Sequence, residues 1–314
     1  MTPERNALRN MLGSIGRTPL IRLERLPARD GAEIYVKWEG ANPTGSMKDR
    51  MALSMVEGAE RRGQLEPGSR VVDYTGGSTG SSLAMVCAAK GYRSLFASSD
   101  AFAEEKLQTM RAFGAELLIV KSENRKITPE LIQTLVGRVR ELAAEPRTFW
   151  TDQFNNIDNR AAYHAMADEI LEALGGKVDA FVMGVGTGGC FSGNAERLKE
   201  RLPSIRCAAT EPATSRALSG QGKPGGHRQE GIGPGFVPKI CRLDLADEIV
   251  AVTDDDAQAT ARRLAKEEGI FGGITSGANV WAAQRLAKQL GPGKRVVTVI
   301  VDSGLKYLQG DLYR

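Results

Sequence analysis

Apolar, strand-like runs alternate with amphipathic helical stretches along almost the whole chain, and this rhythm limits the fold more than any other feature. Ile34 to Trp38 reads as a strand leading to a helix from about Met47 to Arg62, and Val71 to Tyr74 leads to a helix from Thr79 to Lys90. Ser94 to Ala97 precedes a helix from Ala103 to Phe113, and Glu116 to Val120 precedes one from about Pro129 to Ala144. The alternation resumes with helix Ile157 to Leu174, strand Asp179 to Met183, helix Gly189 to Leu202 and strand Ile205 to Thr210. It ends with strand Ile249 to Val252, helices Asp254 to Glu268 and Ser276 to Leu290, and strand Val296 to Val301. Repeated β-α units pack as parallel sheets with helices on both faces. The expectation is an α/β protein of two doubly wound parallel-sheet domains. The seam falls near Trp150 to Asn156, giving a smaller domain over 41–152 and a larger one over 153–314, joined by part of 1–40. Ligands bind such sheets at the carboxyl ends of strands.

Composition narrows the function. A chain of 314 residues with 41% hydrophobic and 25% charged content suits a soluble globular enzyme with room for two domains. Thirty-six glycines exceed the about 22 that average usage gives, and the surplus gathers in a few loops. The net charge is +4, but Arg61-Arg62, Arg197, Lys199, Arg201 and Arg262-Arg263 are spread along helices with acids between them. These are solvated helix faces, so no nucleic-acid partner is expected. Cys87, Cys190, Cys207 and Cys241 have neither Cys-x-x-Cys nor zinc-site spacing, which points to reduced thiols in a cytoplasm and to no metal. There is no signal-peptide pattern, and no apolar run approaches the roughly 18 residues of a membrane span. Two histidines, His164 and His227, leave little basis for a histidine triad.

The chemistry collects in four places. Lys48 lies in Asn42-Pro43-Thr44-Gly45-Ser46-Met47-Lys48-Asp49-Arg50, a turn that empties into a helix, with Ser46 as a candidate cap. A glycine-rich turn, Thr75-Gly76-Gly77-Ser78-Thr79-Gly80, follows one strand, and Gly184-Val185-Gly186-Thr187-Gly188-Gly189 follows another and opens a helix. Helix-start amides and the helix dipole make the latter an anion cup. The same glycines fit the dinucleotide fingerprint, with Glu211 placed 22 residues after Gly189 for a ribose, so a nicotinamide oxidoreductase is the rival from a different class. The fourth place is Asp302-Ser303-Gly304, which ends an apolar strand and presents a hydroxyl or a carboxylate at its carboxyl end. Lysine, anion cup, carboxylate-binding turn and hydroxyl are together what a pyridoxal phosphate enzyme requires. Ser219 to Lys239, rich in glycine and proline, reads as a long functional loop or a mobile connection.

These motifs resemble those of the cysteine synthase and cystathionine β-synthase family of pyridoxal phosphate enzymes, of the tryptophan synthase β-like fold type, over nearly the whole chain. The resemblance implies pyridoxal 5'-phosphate in the cleft between the two domains, bound as a Schiff base to Lys48, which then shuttles the Cα proton. It implies a phosphate site at Gly186, Thr187, Gly188, Gly189 and Cys190, the pyridine nitrogen at Ser303, and the ring hydroxyl near Ser78. Thr75, Gly76, Thr79 and Gln153, the last in Gln153-Phe154, would hold the substrate carboxylate. Gly231-Ile232-Gly233-Pro234-Gly235-Phe236 looks like the family's active-site loop, and Gly273 to Ala278 like a further helix entry. A neutral hydroxyl at the ring nitrogen leaves it largely unprotonated and favours chemistry at Cβ over transamination.

The family usually reads Thr-Ser-Gly-Asn-Thr-Gly where this chain has Thr75-Gly76-Gly77-Ser78-Thr79-Gly80, and it has threonine where this chain has Cys190. Gly76 is therefore expected to leave extra space for a bulkier or differently charged substrate than O-acetylserine. The leading expectation is β-replacement on an O-activated serine through an α-aminoacrylate, as in a cysteine synthase, with a sulfur or other nucleophile. The alternatives are β-elimination, as in a serine/threonine dehydratase or cysteine desulfhydrase, and a non-catalytic paralogue. A homodimer is implied by the resemblance alone, docking of a serine acetyltransferase has no support, and the length suits the catalytic core without a regulatory module.

Overall fold

A computed structural model describes residues 8–222 and 224–314. Its strands are β1 (Leu20–Arg22), β2 (Glu33–Trp38), β3 (Arg70–Tyr74), β4 (Arg93–Ser99), β5 (Glu116–Val120), β6 (Thr148–Trp150), β7 (Ala180–Gly184), β8 (Arg206–Pro212), β9 (Glu248–Val252) and β10 (Arg295–Ile300). Its helices are α1 (Lys48–Arg61), α2 (Ser78–Lys90), α3 (Glu104–Ala112), α4 (Pro129–Ala143), α5 (Ile157–Ala161), α6 (His164–Ala173), α7 (Gly189–Arg201), α8 (Asp254–Glu268) and α9 (Ile274–Leu290). The chain divides into two α/β units. The first holds the residues up to Arg17, Asn42–Thr44 and Lys48–Asp152, and the second holds Thr18–Ala41, Gly45–Met47 and Gln153–Arg314.

The first unit is built on a four-stranded sheet in the order β5-β4-β3-β6, parallel throughout. α2 is buried from Thr79 to Cys87, as its nearly continuous small and apolar sequence requires. α4 covers Val72 and Ala97 with Leu131, Leu135 and Val139. It starts at a Thr128 cap that accepts the Leu131 N–H, with Pro129 at the first helical position.

The second unit has a six-stranded sheet in the order β1-β2-β10-β7-β8-β9. β7 is buried at every residue, as its unbroken apolar run predicts for a parallel strand covered on both faces. β1 pairs antiparallel with β2, so this sheet is mixed rather than purely parallel. β1 and β6, three residues each, were too short to give a periodic signal. Glu268 at the end of α8 accepts the backbone N–H groups of Arg25 (2.6 Å) and Leu26 (2.7 Å), fastening the β1–β2 connection.

Two local expectations are corrected. The single helix expected over 157–174 is split into α5 and α6 at Tyr163, whose ring is 1% exposed and whose hydroxyl donates to the Met47 carbonyl. Ser46 does not sit at the cap of α1. It lies two residues before the first helical residue and forms an isolated antiparallel bridge with Asp302.

Asp73, near the end of β3, is wholly buried and accepts hydrogen bonds from Thr151 Oγ1, Trp150 Nε1 and the Tyr74 N–H. Burial pushes its carboxyl up to about 7 despite these donors, which pull it down. An unfolded aspartate ionises near pH ~4, so the folded chain binds more protons between about pH 4 and pH 7. Stability should therefore fall across that window, by on the order of 4 kcal/mol, and stay low above it. Asp73→Asn removes this titration. The difference in unfolding free energy between wild type and variant, followed by urea denaturation, should decline from about pH 4 to pH 7; a flat difference contradicts the assignment.

Candidate active site

In the second unit β7 and β10 are neighbouring parallel strands, so the loops at their carboxyl ends leave the same edge of one sheet. The β7 loop is Val185 to Gly188, ending at the start of α7. A Cβ at Gly186 would collide with the Gly231 carbonyl, and one at Gly189 with the Asn159 side chain. At Gly188, which adopts φ +85, a Cβ would lie 2.5 Å from Cys241 Cβ. Three close approaches thus require glycine, and the left-handed Gly188 turns the backbone into a concave nest before a 13-residue helix. Asn159 Nδ2 bridges the Thr187 hydroxyl (3.0 Å) and the Gln153 carbonyl (2.7 Å). The first-turn N–H groups of α7 lack intrahelical acceptors by geometry and suit a phosphate. Charge-assisted hydrogen bonds contribute about 1.5–3 kcal/mol each. Cys190 lies in that first turn, 5% exposed, with its carbonyl receiving Asn194 Nδ2 at 2.8 Å.

Ser303 follows β10. Its N–H donates to the Gly45 carbonyl (2.9 Å), and its hydroxyl accepts a long bond from the Leu305 N–H (3.3 Å), an acceptor role that leaves the hydroxyl proton able to donate. Asp302 is 5% exposed, and its carboxylate receives the Tyr307 hydroxyl at 2.7 Å. Burial, then the Asp302 charge, pushes that phenol well above its ordinary range. The Met47 N–H donates to the Val301 carbonyl (2.9 Å), which fastens Met47 to the strand end that carries Ser303.

The long loop after β8 is pinned within this unit. Gly233 N–H donates to the Val185 carbonyl (3.0 Å), Gln229 Nε2 to the Val252 carbonyl (2.9 Å), and Thr275 Oγ1 to the Glu230 carbonyl (2.7 Å). Phe236 meets Phe154 with ring centroids 5.5 Å apart. Lys223, within the expected loop, lies outside the described residues.

In the first unit Lys48 is the opening residue of α1, and its neighbour Asp49 is fully buried. The Asp49 carboxylate accepts the Thr44 N–H (2.8 Å), the Thr44 hydroxyl (2.5 Å) and the Ser82 hydroxyl of α2 (2.6 Å). This buried anion at a helix start ties Lys48 to α2, whose own start is the glycine-rich turn. The sequence does not single out Asp49, because an acid between Lys48 and Arg50 has no distinguishing spacing. In the turn, Thr75 Oγ1 accepts the N–H groups of Gly77 (3.3 Å) and Gly80 (3.1 Å), keeping its proton for a further acceptor. Thr75 and Thr79 are each 6% exposed, and Gly76 and Ser78 are half-buried. Gln153 belongs to the second unit, with the phosphate loop and Ser303.

Two expectations fail here. Gly76 does not leave extra space, because the Phe102 ring occupies the volume that a side chain there would take. Glu211 is not free to hold a ribose: it is fully buried and accepts the Leu218 N–H (2.8 Å), the Ser219 N–H (3.3 Å) and the Ser219 hydroxyl. That commitment removes the acidic half of the dinucleotide fingerprint.

The family model described as "Pyridoxal-phosphate dependent enzyme" matches residues 11–302. The chain belongs to this family. A cysteine synthase of Staphylococcus aureus (strain N315) is 42% identical over 306 residues, covering 97% of this chain and 96% of that protein. The crystal structure of an O-ureido-L-serine synthase superposes with a TM-score of 0.92 at 36% identity, over 98% of this chain and 96% of that one. A hydrogen sulfide-producing enzyme from Fusobacterium nucleatum gives a TM-score of 0.91 at 39% identity, over 98% of this chain and 100% of that one. The protein is thus a pyridoxal-phosphate-dependent enzyme of the cysteine synthase and cystathionine β-synthase group, with pyridoxal 5'-phosphate as its cofactor. The glycine cradle at 186–189 and the uncharged Ser303 at the neighbouring strand end fit that cofactor's phosphate and ring nitrogen.

Proposed function

We propose that this enzyme performs β-replacement on an O-activated serine, with O-acetylserine and sulfide giving cysteine and acetate as the leading reaction. The observation that carries the reading is the pairing of an anion cradle after β7 with a neutral hydroxyl after β10, on adjacent strands of one sheet. Gly186, Thr187, Gly188, Gly189 and Cys190 would hold the cofactor phosphate, Ser303 its ring nitrogen and Ser78 its ring hydroxyl. Bound pyridoxal phosphate supplies an electron sink for the pair left at the substrate Cα. Lys48 Nζ would hold the cofactor covalently until the substrate amine displaces it, and the freed amine would then take the Cα proton as acetate leaves Cβ. Ser303 offers the ring nitrogen a hydrogen bond without a negative charge to hold a proton there, which favours loss of the β-substituent over transamination. Thr75, Gly76, Thr79 and Gln153 would hold the substrate carboxylate, the Thr75 hydroxyl with the proton it has not used within the turn.

Elimination from cysteine, releasing sulfide, is the second reading, favoured by the likeness to the hydrogen sulfide-producing enzyme. Holoenzyme given O-acetyl-L-serine and sulfide should yield cysteine and acetate one to one. Sulfide, pyruvate and ammonia from cysteine given alone, with no cysteine formed from O-acetyl-L-serine, would select elimination, and no product from either amino acid would end the proposal. A homodimer in a reducing cytoplasm belongs to the same reading. The free cysteines, three of them buried, accord with a reducing compartment.

A further inference from the structure

Gly76 and Phe102 share one volume. A Cβ on Gly76 would fall closer than 3.0 Å to three atoms of the Phe102 ring, which no real Cβ tolerates, so any side chain at 76 requires the ring to leave. The ring is held where it stands. Phe102 follows β4 in a tight turn in which its N–H donates to the Ser99 carbonyl (3.2 Å) and the Ala101 N–H to the Ser99 hydroxyl (3.2 Å). Asp100 fastens that turn by accepting the N–H and hydroxyl of Ser122, each at 2.8 Å. The ring also packs, with Tyr74, Leu95 and Val120, on the apolar cluster under α4. The Thr75 N–H donates to the Ala97 carbonyl (3.0 Å), placing the glycine-rich turn beside this strand end. The neighbouring position is open, since a Cβ on Gly77 would meet nothing within 4 Å.

We propose that Phe102 is a specificity-determining residue: its ring, made possible by Gly76, closes one side of the 75–80 turn and restricts it to amino acids with a small β-substituent, such as O-acetylserine. This rests on the proposed role of that turn in holding the substrate carboxylate. The absent side chain at position 76 thus narrows the site, because an aromatic ring of larger volume has taken its place. Substrates approach over Gly77, where the surface is clear.

The test combines a stability cycle with a substrate series. Gly76→Ala should lower the melting temperature of the wild-type holoenzyme by several degrees and lower that of Phe102→Ala far less, whereas Gly77→Ala should cost the same in both backgrounds. Phe102→Ala should also raise kcat/KM for O-butyryl- and O-succinyl-L-serine at least tenfold relative to O-acetyl-L-serine. Spectral titration of the cofactor with each amino acid should show the gain in affinity. Equal costs of Gly76→Ala in the two backgrounds, or an unchanged order of substrate preference with turnover intact, overturns the gate and leaves the proposed function standing. Normal coupling in the cycle, with no turnover and no spectral response to any O-acylserine, overturns the proposed function and with it the gate's role in substrate choice.

Discussion

Lys48→Ala is expected to lower turnover at least about 10³-fold while leaving the fold intact. The residues on either side of this amine are independently fixed. Met47 is held by the Val301 carbonyl and the Tyr163 hydroxyl, and Asp49 by Thr44 and Ser82. These bonds fix the backbone on both sides of position 48, and alanine is a strong helix former. What disappears is the one amine at this helix start that can join the cofactor and accept the Cα proton. The far-UV spectrum and melting temperature of apoenzyme should match wild type, and steady-state cysteine formation should drop to the background of free cofactor. Activity within tenfold of wild type would remove Lys48 from the mechanism.

The second large effect is expected at the phosphate cradle. Gly186→Ala places a methyl against the Gly231 carbonyl, a backbone atom that cannot rotate away. Either the β7 loop or the segment containing Gly231 must move, and overpacking of this kind costs roughly 1–3 kcal/mol before any effect on binding. Because the same displacement spoils the aim of the helix-start amides, cofactor affinity should fall on the order of 100-fold, which is the loss of one or two charge-assisted hydrogen bonds. Visible absorbance of the purified protein, titrated with pyridoxal phosphate after dialysis, measures this directly. Unchanged affinity would mean that the phosphate does not sit on this loop.

Most strands and helices were legible because each carries a run long enough to show its period, and β7 could be placed as a buried strand from its unbroken apolar residues, as could β10 from apolar residues interrupted only by Thr298. β1 and β6 escaped because three residues carry no period, and the split at Tyr163 escaped because a tyrosine within an amphipathic stretch looks like any other core position. The candidate site is legible where its chemistry leaves a composition mark: the close approaches at Gly186, Gly188 and Gly189 are read from glycine, and the lysine, the threonine-rich turn and the serine are candidates because each stands at an element's end. It was illegible where the decisive fact is a tertiary neighbour. Gly76 read as empty space because a missing side chain in a sequence cannot show that Phe102, 26 positions later, fills it. Glu211 read as a ribose ligand because both cofactor classes use a glycine turn between strand and helix, and only its bonds to Leu218 and Ser219 show that its charge is already committed. Asp49 left no mark at all, since burial alone distinguishes it from any helix-start acid.

The central claim is that the amine of Lys48 carries the cofactor, and borohydride reduction of the holoenzyme followed by peptide mass spectrometry tests it most directly. The account predicts one reduced pyridoxyl-phosphate group per chain, on the peptide that contains Lys48. A stoichiometric tag on any other lysine, or none on a yellow protein, would contradict it.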